Sequence, residues 1–393
     1  MSPEHPKSST SRHIPEPEKR LLWVRAGGRC ELCNEYLLED PSTLEPLNLA
    51  ELAHNVGHKK AARSPRGLAP LETADRNRAD NLLLLCGGDH RSIDSKLNSG
   101  AFTVEYLQAQ KTRHEARIRY VTGLREDAET VVLRVIGDIR SAPVELSEQI
   151  AARAVLDTDR RYPRFGWGYG GADFEVDLRD LPSEKPDLYW EAGQQRIREQ
   201  LGTRLREAVA RGQVRHLSVF CLARMPLLAC VGEHLDDKVP VKLFQKQRGG
   251  GEGWGWDGAA EPVTFSFQCV QEGAPDRVAV IVALSAALSV EDLPPEFADA
   301  TVWLITPREE APSRDILVAR ASLDNFARTY HDCVGAIEAG RPKPETIALF
   351  PAVPAAAAVT LGRGLMRQAQ PVVRIYDRAE SDGSFEFALE INA

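Results

Sequence analysis

Cys30 and Cys33 form the pair CELC, a spacing that lets two thiolates grip one zinc ion from a tight turn. Cys86 and Asp89 repeat that spacing 53 residues later. Three sulfurs and one carboxylate oxygen make an acceptable tetrahedral zinc site, although Cys or His is the more usual fourth donor. Buried free cysteines are the plainer reading of such residues, and two matched pairs in one short region favour zinc. His90 and Asp94 stand four apart, which puts them on one helix face, able to hold one cation between them. A His and carboxylate pair suits Mg²⁺, Mn²⁺ or Zn²⁺. His54 follows an apolar segment, and Asn81 opens the run NLLLLC (81–86). Taken singly, His54 reads as a satisfied core histidine and Asp94 as a solvated helix residue; the combination is what suggests metal-dependent chemistry.

The elements that must position these residues follow from local pattern. A helix is predicted over 16–28, leading into the CxxC knuckle, with residues 1–18 otherwise a disordered leader. A short apolar piece spans 49–58, and 59–80 has the basic, Pro- and Gly-containing composition of a loop. The strand 81–86 hands over to a helix near 89–98, and a long charged helix ends around Gly123. Residues 125–130 read as a linker between domains at 19–124 and 131–393.

Beyond the linker the pattern changes. Short Val- and Ile-rich runs, among them VVLRVIGDI, HLSVFCLA, VAVIVALS, TVWLIT, ILVARA, TIALF and PVVRIYD, alternate with amphipathic helical segments. That alternation implies βαβ units and a largely parallel sheet covered by helices. About ten strands exceed one compact sheet, so two related α/β halves are expected, although no sequence repeat is evident.

The net charge of −8 argues against a nucleic-acid partner until its distribution is examined. Residues 1–120 hold 18 Lys and Arg against 16 Asp and Glu, whereas the remainder holds 31 against 41. Six of nine histidines and three of seven cysteines also lie in those first 120 residues. The odd cysteine count argues against a disulfide framework and for a reducing cytoplasm. No apolar run approaches the roughly 18–20 residues that span a bilayer, and no secretory signal opens the chain.

His54, then Asn81, then His90, within a Cys-bracketed scaffold over residues 20–120, resembles the HNH (ββα-metal) endonuclease motif. The resemblance implies that His54 is the general base and that Asn81 orients its loop. It implies that His90 and Asp94 hold a catalytic Mg²⁺ or Mn²⁺. Many family members carry an acidic residue or His immediately before the base, and here that position is Ala53. His58, Asp75, or water and phosphate alone must then complete the coordination. Asp89 also stands where the family usually shows Cys or His. The basic loop Lys59, Lys60, Arg63, Arg66, Arg76 and Arg78 reads as a solvated charge run, or, beside a nuclease site, as sequence-independent phosphate contacts.

The C-terminal two thirds lacks a dinucleotide-binding GxGxxG and a Walker A sequence. Lys242, Gln245, Lys246 and Arg248 precede a glycine loop with Trp254 and Trp256, a set able to meet phosphates and stack on bases. Tryptophans packing a loop onto the core are an equal alternative. Phe165, Trp167 and Tyr169 form a second candidate loop, and Gly362, Arg363 and Gly364 a third. The segments VVLRVIGDIRSAPVELS, HLSVFCLARMPLLACVGEHLDDKVPVKLFQKQR and LFPAVPAAAAVTLGRGLM resemble a SAVED domain, a fusion of two CARF-like Rossmann-type halves that binds cyclic oligonucleotides.

The order HNH then SAVED resembles the effector nucleases of CBASS, the bacterial cyclic-oligonucleotide anti-phage systems. The resemblance implies an α+β chain that degrades double-stranded DNA once a cyclic di- or trinucleotide from a partner nucleotidyltransferase binds. It also implies a homo-oligomer that assembles further on ligand binding, away from membranes. Two other readings remain from the residues alone: a zinc-knuckle nucleic-acid-binding regulator that does not cleave, and an RNase on the same site.

Overall fold

The computed structural model describes residues 13–393 apart from 99, 125–127, 139–145, 167–173, 183–185, 236, 248–252, 367–368 and 380. The chain is mixed α and β, and divides into two compact units, Met1–Arg125 and Glu126–Ala393.

The first described helix of unit 1 is α1 (Glu16–Ala26), which takes in residues 16–18 of the predicted leader: Pro15 precedes the first turn, and Glu16 and Glu18 complement its dipole. The helix ends where Gly27 turns left-handed at φ 63°. Strand β1 (Ala50–His54) pairs antiparallel with β2 (Leu82–Cys86), setting Ala50 opposite Cys86 and His54 opposite Leu82. Leu82 to Leu85 are all fully buried, because this strand is the centre of the small core. Helix α2 (Gly87–Asp94) follows directly, capped by the Cys86 sulfur, which accepts from Asp89 N. It stops four residues earlier than the sequence suggests, since Ser95 is extended. Helix α3 (Val104–Thr122), capped by the Thr103 hydroxyl, packs on α1, where Ala26 O lies 2.9 Å from His114 Nε2.

Unit 2 holds two sheets. In the first, β3 (Glu129–Ile136) pairs in parallel with β4 (Tyr162–Arg164), β5 (Glu175–Asp177) and β6 (Leu217–Leu222), and β6 pairs in parallel with β7 (Val241–Phe244). Glu129 and Thr130 therefore belong to this sheet and not to the predicted linker. Helix α4 (Glu148–Asp159) joins β3 to β4. Helix α5 (Pro186–Ile197), a π-helix (Arg198–Leu205) and α6 (Arg206–Ala210) lead into β6. Helix α7 (Met225–His234) connects β6 to β7.

The second sheet has the order β13–β12–β11–β9–β10–β8. Its members are β8 (Phe265–Gln271), β9 (Ala274–Ala283), β10 (Ala300–Pro307), β11 (Thr346–Ala352), β12 (Val372–Arg378) and β13 (Phe385–Ile391). The two edges, β8 and β13, run antiparallel and the four inner strands are parallel. Helix α8 (Arg320–Ala339) covers one face, and α9 (Ala355–Arg363) connects β11 to β12. The run β3, β6, α7, β7 thus repeats in space as β9, β11, α9, β12, a duplication that no sequence repeat betrays. The predicted strand ILVARA is not one: Ile316 and Leu317 are buried in irregular backbone before α8. No helix among the described residues is long and apolar enough to cross a membrane.

Candidate functional site

The four residues Cys30, Cys33, Cys86 and Asp89 converge, with one donor atom from each lying within 4.8 Å of the others. Cys33 Sγ and Cys86 Sγ are 3.8 Å apart. Two thiolates bound tetrahedrally to zinc at ~2.3 Å would stand about 3.8 Å apart, so this donor set fits the ion. Cys30 Sγ donates to Asp89 Oδ2 at 3.1 Å. Burial pushes the thiols of Cys30 and Cys33 up, a shift that a cation bound between them would oppose. Glu31, between the two cysteines, fastens the knuckle to the fold. Its backbone N–H donates to Leu84 O at 2.9 Å, and its Oε2 accepts from Leu84 N at 2.8 Å. Lys111 on α3 reaches the same buried carboxyl at 3.3 Å, while burial raises that carboxyl to about 7.

The predicted hydrolytic residues lie on the β1–β2–α2 unit. His54 ends β1, with Nε2 2.9 Å from Asn77 Oδ1. An amide oxygen only accepts, so Nε2 carries the hydrogen and Nδ1 keeps its lone pair. Burial lowers the His54 pKa, chiefly against the Asn77 hydrogen bond, which raises it. A neutral imidazole with Nδ1 available is what a general base requires. Asn81 is buried and serves the loop after His54. Its Oδ1 accepts from Val56 N at 2.8 Å, and its Nδ2 donates to Val56 O and Arg76 O, each at 2.9 Å.

On α2, His90 Nε2 lies 3.5 Å from Asp94 Oδ2. Those two atoms fit a shared divalent cation, since bonds of ~2.1 Å set neighbouring donors about 3 Å apart. Burial works against the charge on Asp94, but the neighbouring His90 and Arg66 outweigh it and hold Asp94 low; His90 is raised in turn by Asp94 and then Glu51. Glu51, which the sequence reading passed over, sits 2.6 Å from His90 Nδ1. Its signal was available only in the strand register, which brings β1 beside the start of α2. Of the two groups considered for the position vacated at Ala53, His58 shares Asn77 Oδ1 with His54, and Asp75 pairs with Arg78 at 3.3 Å. Ala53 itself is fully buried.

The basic loop separates into two kinds of residue. Lys59, Lys60 and Arg63 are exposed. Arg66 and Arg76, expected to meet phosphate, are committed to protein carbonyls. Arg66 donates to Asn55 O and Ile93 O at 2.6 Å each, and reaches Asp94 Oδ1 at 3.4 Å. Arg76 is fully buried and gathers the carbonyls of Gly57, Gly67, Ala69 and Leu71. Arg76 is wholly enclosed and Arg66 keeps only about a tenth of its side chain exposed, which is why both depart from the expectation.

In unit 2 a cavity of about 760 Å³ opens at the carboxyl ends of β6, β7, β9, β11 and β12, where the two halves meet. The first turns of α7 and α9 both contribute to its wall, through Met225 and Ala355. Two links cross between halves here. Gln245 Oε1, just after β7, accepts from Ala356 N on α9 at 3.1 Å, and Arg224 Nε, just before α7, donates to Asp377 Oδ2 at 2.7 Å. Lys246, Arg314 and Arg378 add positive charge against the single carboxylate of Asp377. Cations, helix amino ends and this size favour an anionic ligand of nucleotide scale.

Residues 197–391 match the family model described as the SAVED, or SMODS-associated and fused to various effectors, sensor domain. Residues 197–391 are a SAVED domain. Among solved structures, the chain is similar to the Acinetobacter baumannii Cap4 SAVED/CARF-domain containing receptor with the cyclic trinucleotide 3′3′3′-cAAA. That pair has 13% identity and a TM-score of 0.46, over 77% of this chain and 62% of the receptor. With 2′3′3′-cAAA the same receptor gives 13% identity and a TM-score of 0.45, over 75% and 66%. The Moraxella osloensis Cap4 receptor gives 10% and 0.38, over 77% and 60%. The chain spans less than two thirds of the length of each of these receptors. No curated protein matches it.

Of the expected ligand residues that are described, only Gln245 and Lys246 line the inter-half cavity. Lys242 is bound to Asp159 at 2.5 Å and, with Trp256, lines a separate cavity of about 360 Å³. Trp256 donates from Nε1 to Leu243 O, and Trp254 is buried edge-on against Phe220. Both indoles therefore pack the loop onto the core. Arg363 ends α9, whereas the cavity lies at that helix's amino end, about 12 Å away along its axis. Arg248, Trp167 and Tyr169 lie outside the described residues. The cavity cations missed from the sequence are Arg224, Arg314 and Arg378; Arg224 follows β6 and Arg378 ends β12, at the strand ends where ligands of open α/β sheets bind.

Proposed function

We propose that the chain is a cyclic-oligonucleotide-activated, metal-dependent endonuclease that cuts double-stranded DNA with little sequence preference, as an anti-phage effector. The observation that carries the nuclease reading is the placement of His54, its Nε2 2.9 Å from Asn77 Oδ1, beside the His90 and Asp94 pair. Asn77 holds the Nε2 hydrogen, so Nδ1 takes the proton from an attacking water, while Asn81 keeps the loop after His54 in place. His90 and Asp94 would hold a divalent cation, which would supply charge neutralisation at the scissile phosphate and its leaving 3′ oxygen. Cys30, Cys33, Cys86 and Asp89 would hold a structural zinc that ties the knuckle to the start of α2. Lys59, Lys60 and Arg63 give the backbone of the substrate a positive, sequence-blind surface.

Support for the sensor half comes from the family description, a sensor domain fused to various effectors, and from the cationic cavity between the halves. The ligand is a cyclic di- or trinucleotide made by a partner nucleotidyltransferase. To activate, it must bind an assembled, cleaving homo-oligomer more tightly than the resting form. Supercoiled plasmid incubated with the protein, Mg²⁺ and a panel of cyclic di- and trinucleotides tests this directly. Cutting that depends on one of these ligands is expected, and absence of cutting across the panel would count against the reading.

A further inference from the structure

We propose that Glu51 is the positioning residue of the cation site, orienting His90 through its Nδ1; this rests on the nuclease reading above. Glu51 Oε2 lies 2.6 Å from His90 Nδ1. A carboxylate can only accept a hydrogen bond, so Nδ1 carries the hydrogen and the Nε2 lone pair is the one left for a cation. Nε2 faces Asp94 Oδ2 at 3.5 Å, and Arg66 Nη2 holds the other Asp94 oxygen at 3.4 Å. Each of the two donors is thus fixed from behind by a protein group. Gly87 leaves room for this arrangement: a Cβ there would lie 3.1 Å from Glu51 Oε1 and 3.2 Å from Arg91 Nη1, closer than ordinary contact. The carboxylate fits beside the opening turn of α2, where the helix dipole favours negative charge. The acidic residue missing at Ala53 has a counterpart nearby. A carboxylate two residues earlier acts through His90 instead.

The test is Mn²⁺ affinity of the full chain by electron paramagnetic resonance, alongside thermal unfolding, for wild type, Glu51→Ala, Glu51→Gln, His90→Ala and Asp94→Ala. Removing such an outer partner weakens metal binding about 10–100-fold. Glu51→Ala is expected to show that loss at unchanged Tm, and Glu51→Gln to recover most of it, because its amide oxygen still accepts from Nδ1. Unchanged affinity in Glu51→Ala, with affinity lost in His90→Ala, would overturn the positioning role alone. A loss in Glu51→Gln as large as in Glu51→Ala would make Glu51 a direct ligand and also overturn it. Insensitivity of all four variants would overturn the cation site itself, and the nuclease reading with it.

Discussion

Gly232 on α7 and Gly362 on α9 sit at one helix crossing and exchange the same contact. A Cβ on Gly232 would lie 1.9 Å from Val359 O, and a Cβ on Gly362 would lie 1.9 Å from Ala229 O. Each glycine thus faces a carbonyl three residues before the other, the signature of a local two-fold relation between the halves. The obstacle in both cases is backbone, which cannot rotate away. Gly232→Ala and Gly362→Ala should each force α7 and α9 apart, at a cost of about 2–3 kcal/mol. Differential scanning calorimetry should show Tm falling by roughly 5–10 °C for unit 2, and a Tm within a degree of wild type would refute the close crossing.

The cavity above that crossing predicts a separation of binding from stability. Lys246 is partly exposed and lines the cavity. Lys246→Ala should leave Tm unchanged and weaken an activating cyclic oligonucleotide by about tenfold, a loss of ~1.4 kcal/mol. Calorimetric titration at two salt concentrations checks it, because a cation meeting phosphate loses its advantage as salt rises.

Zinc removal should act on unit 1 alone. Cys33→Ser, or a strong chelator, takes one donor or the ion from a knuckle that joins the end of α1 to β2 and α2, and metal binding of this kind is folding energy. Far-UV circular dichroism on heating should then lose the unit 1 transition and retain that of unit 2. Metal analysis should fall by one zinc per chain. A chelated protein that keeps both transitions would contradict the assignment.

His216 supplies a pH dependence in unit 2. It is buried, with Nδ1 2.8 Å from Thr130 Oγ1, and burial followed by the charge of Arg161 lowers it to about 4. The unfolded chain takes up this proton near 6.5 and the native chain only near 4. Its contribution is therefore full above pH 6.5 and is lost as pH falls toward 4, by at most roughly 3 kcal/mol. Denaturant unfolding of His216→Gln should show that part of the slope removed between pH 6.5 and 4.

Sequence carried the site further than it carried the sensor. Cys30, Cys33, Cys86, Asp89, His90 and Asp94 declare themselves by spacings of three and four, which local structure preserves. Glu51 does not, because its meeting with His90 depends on the pairing of β1 with β2. Arg66 and Arg76 were misjudged because composition cannot distinguish a solvated cation from one enclosed by carbonyls. Arg224 and Asp377 lie 153 residues apart, and only the duplicated topology brings them to one cavity. For the tryptophans a glycine-rich context leaves base stacking and core packing equally open, and apolar burial against Phe220 decides the place of Trp254.

The most direct measurement is single-turnover plasmid cleavage, with Mg²⁺ and activating ligand, by wild type and His54→Ala from pH 5 to 8. Burial lowers His54 below the usual histidine range, so wild-type cutting should hold until pH falls below 6.5 and decline only beneath it. His54→Ala should lose at least about 100-fold at and above pH 6.5, the contribution of a positioned base, with the gap narrowing as wild-type cutting declines below it, while binding ligand normally. Equal cutting by His54→Ala would contradict the account.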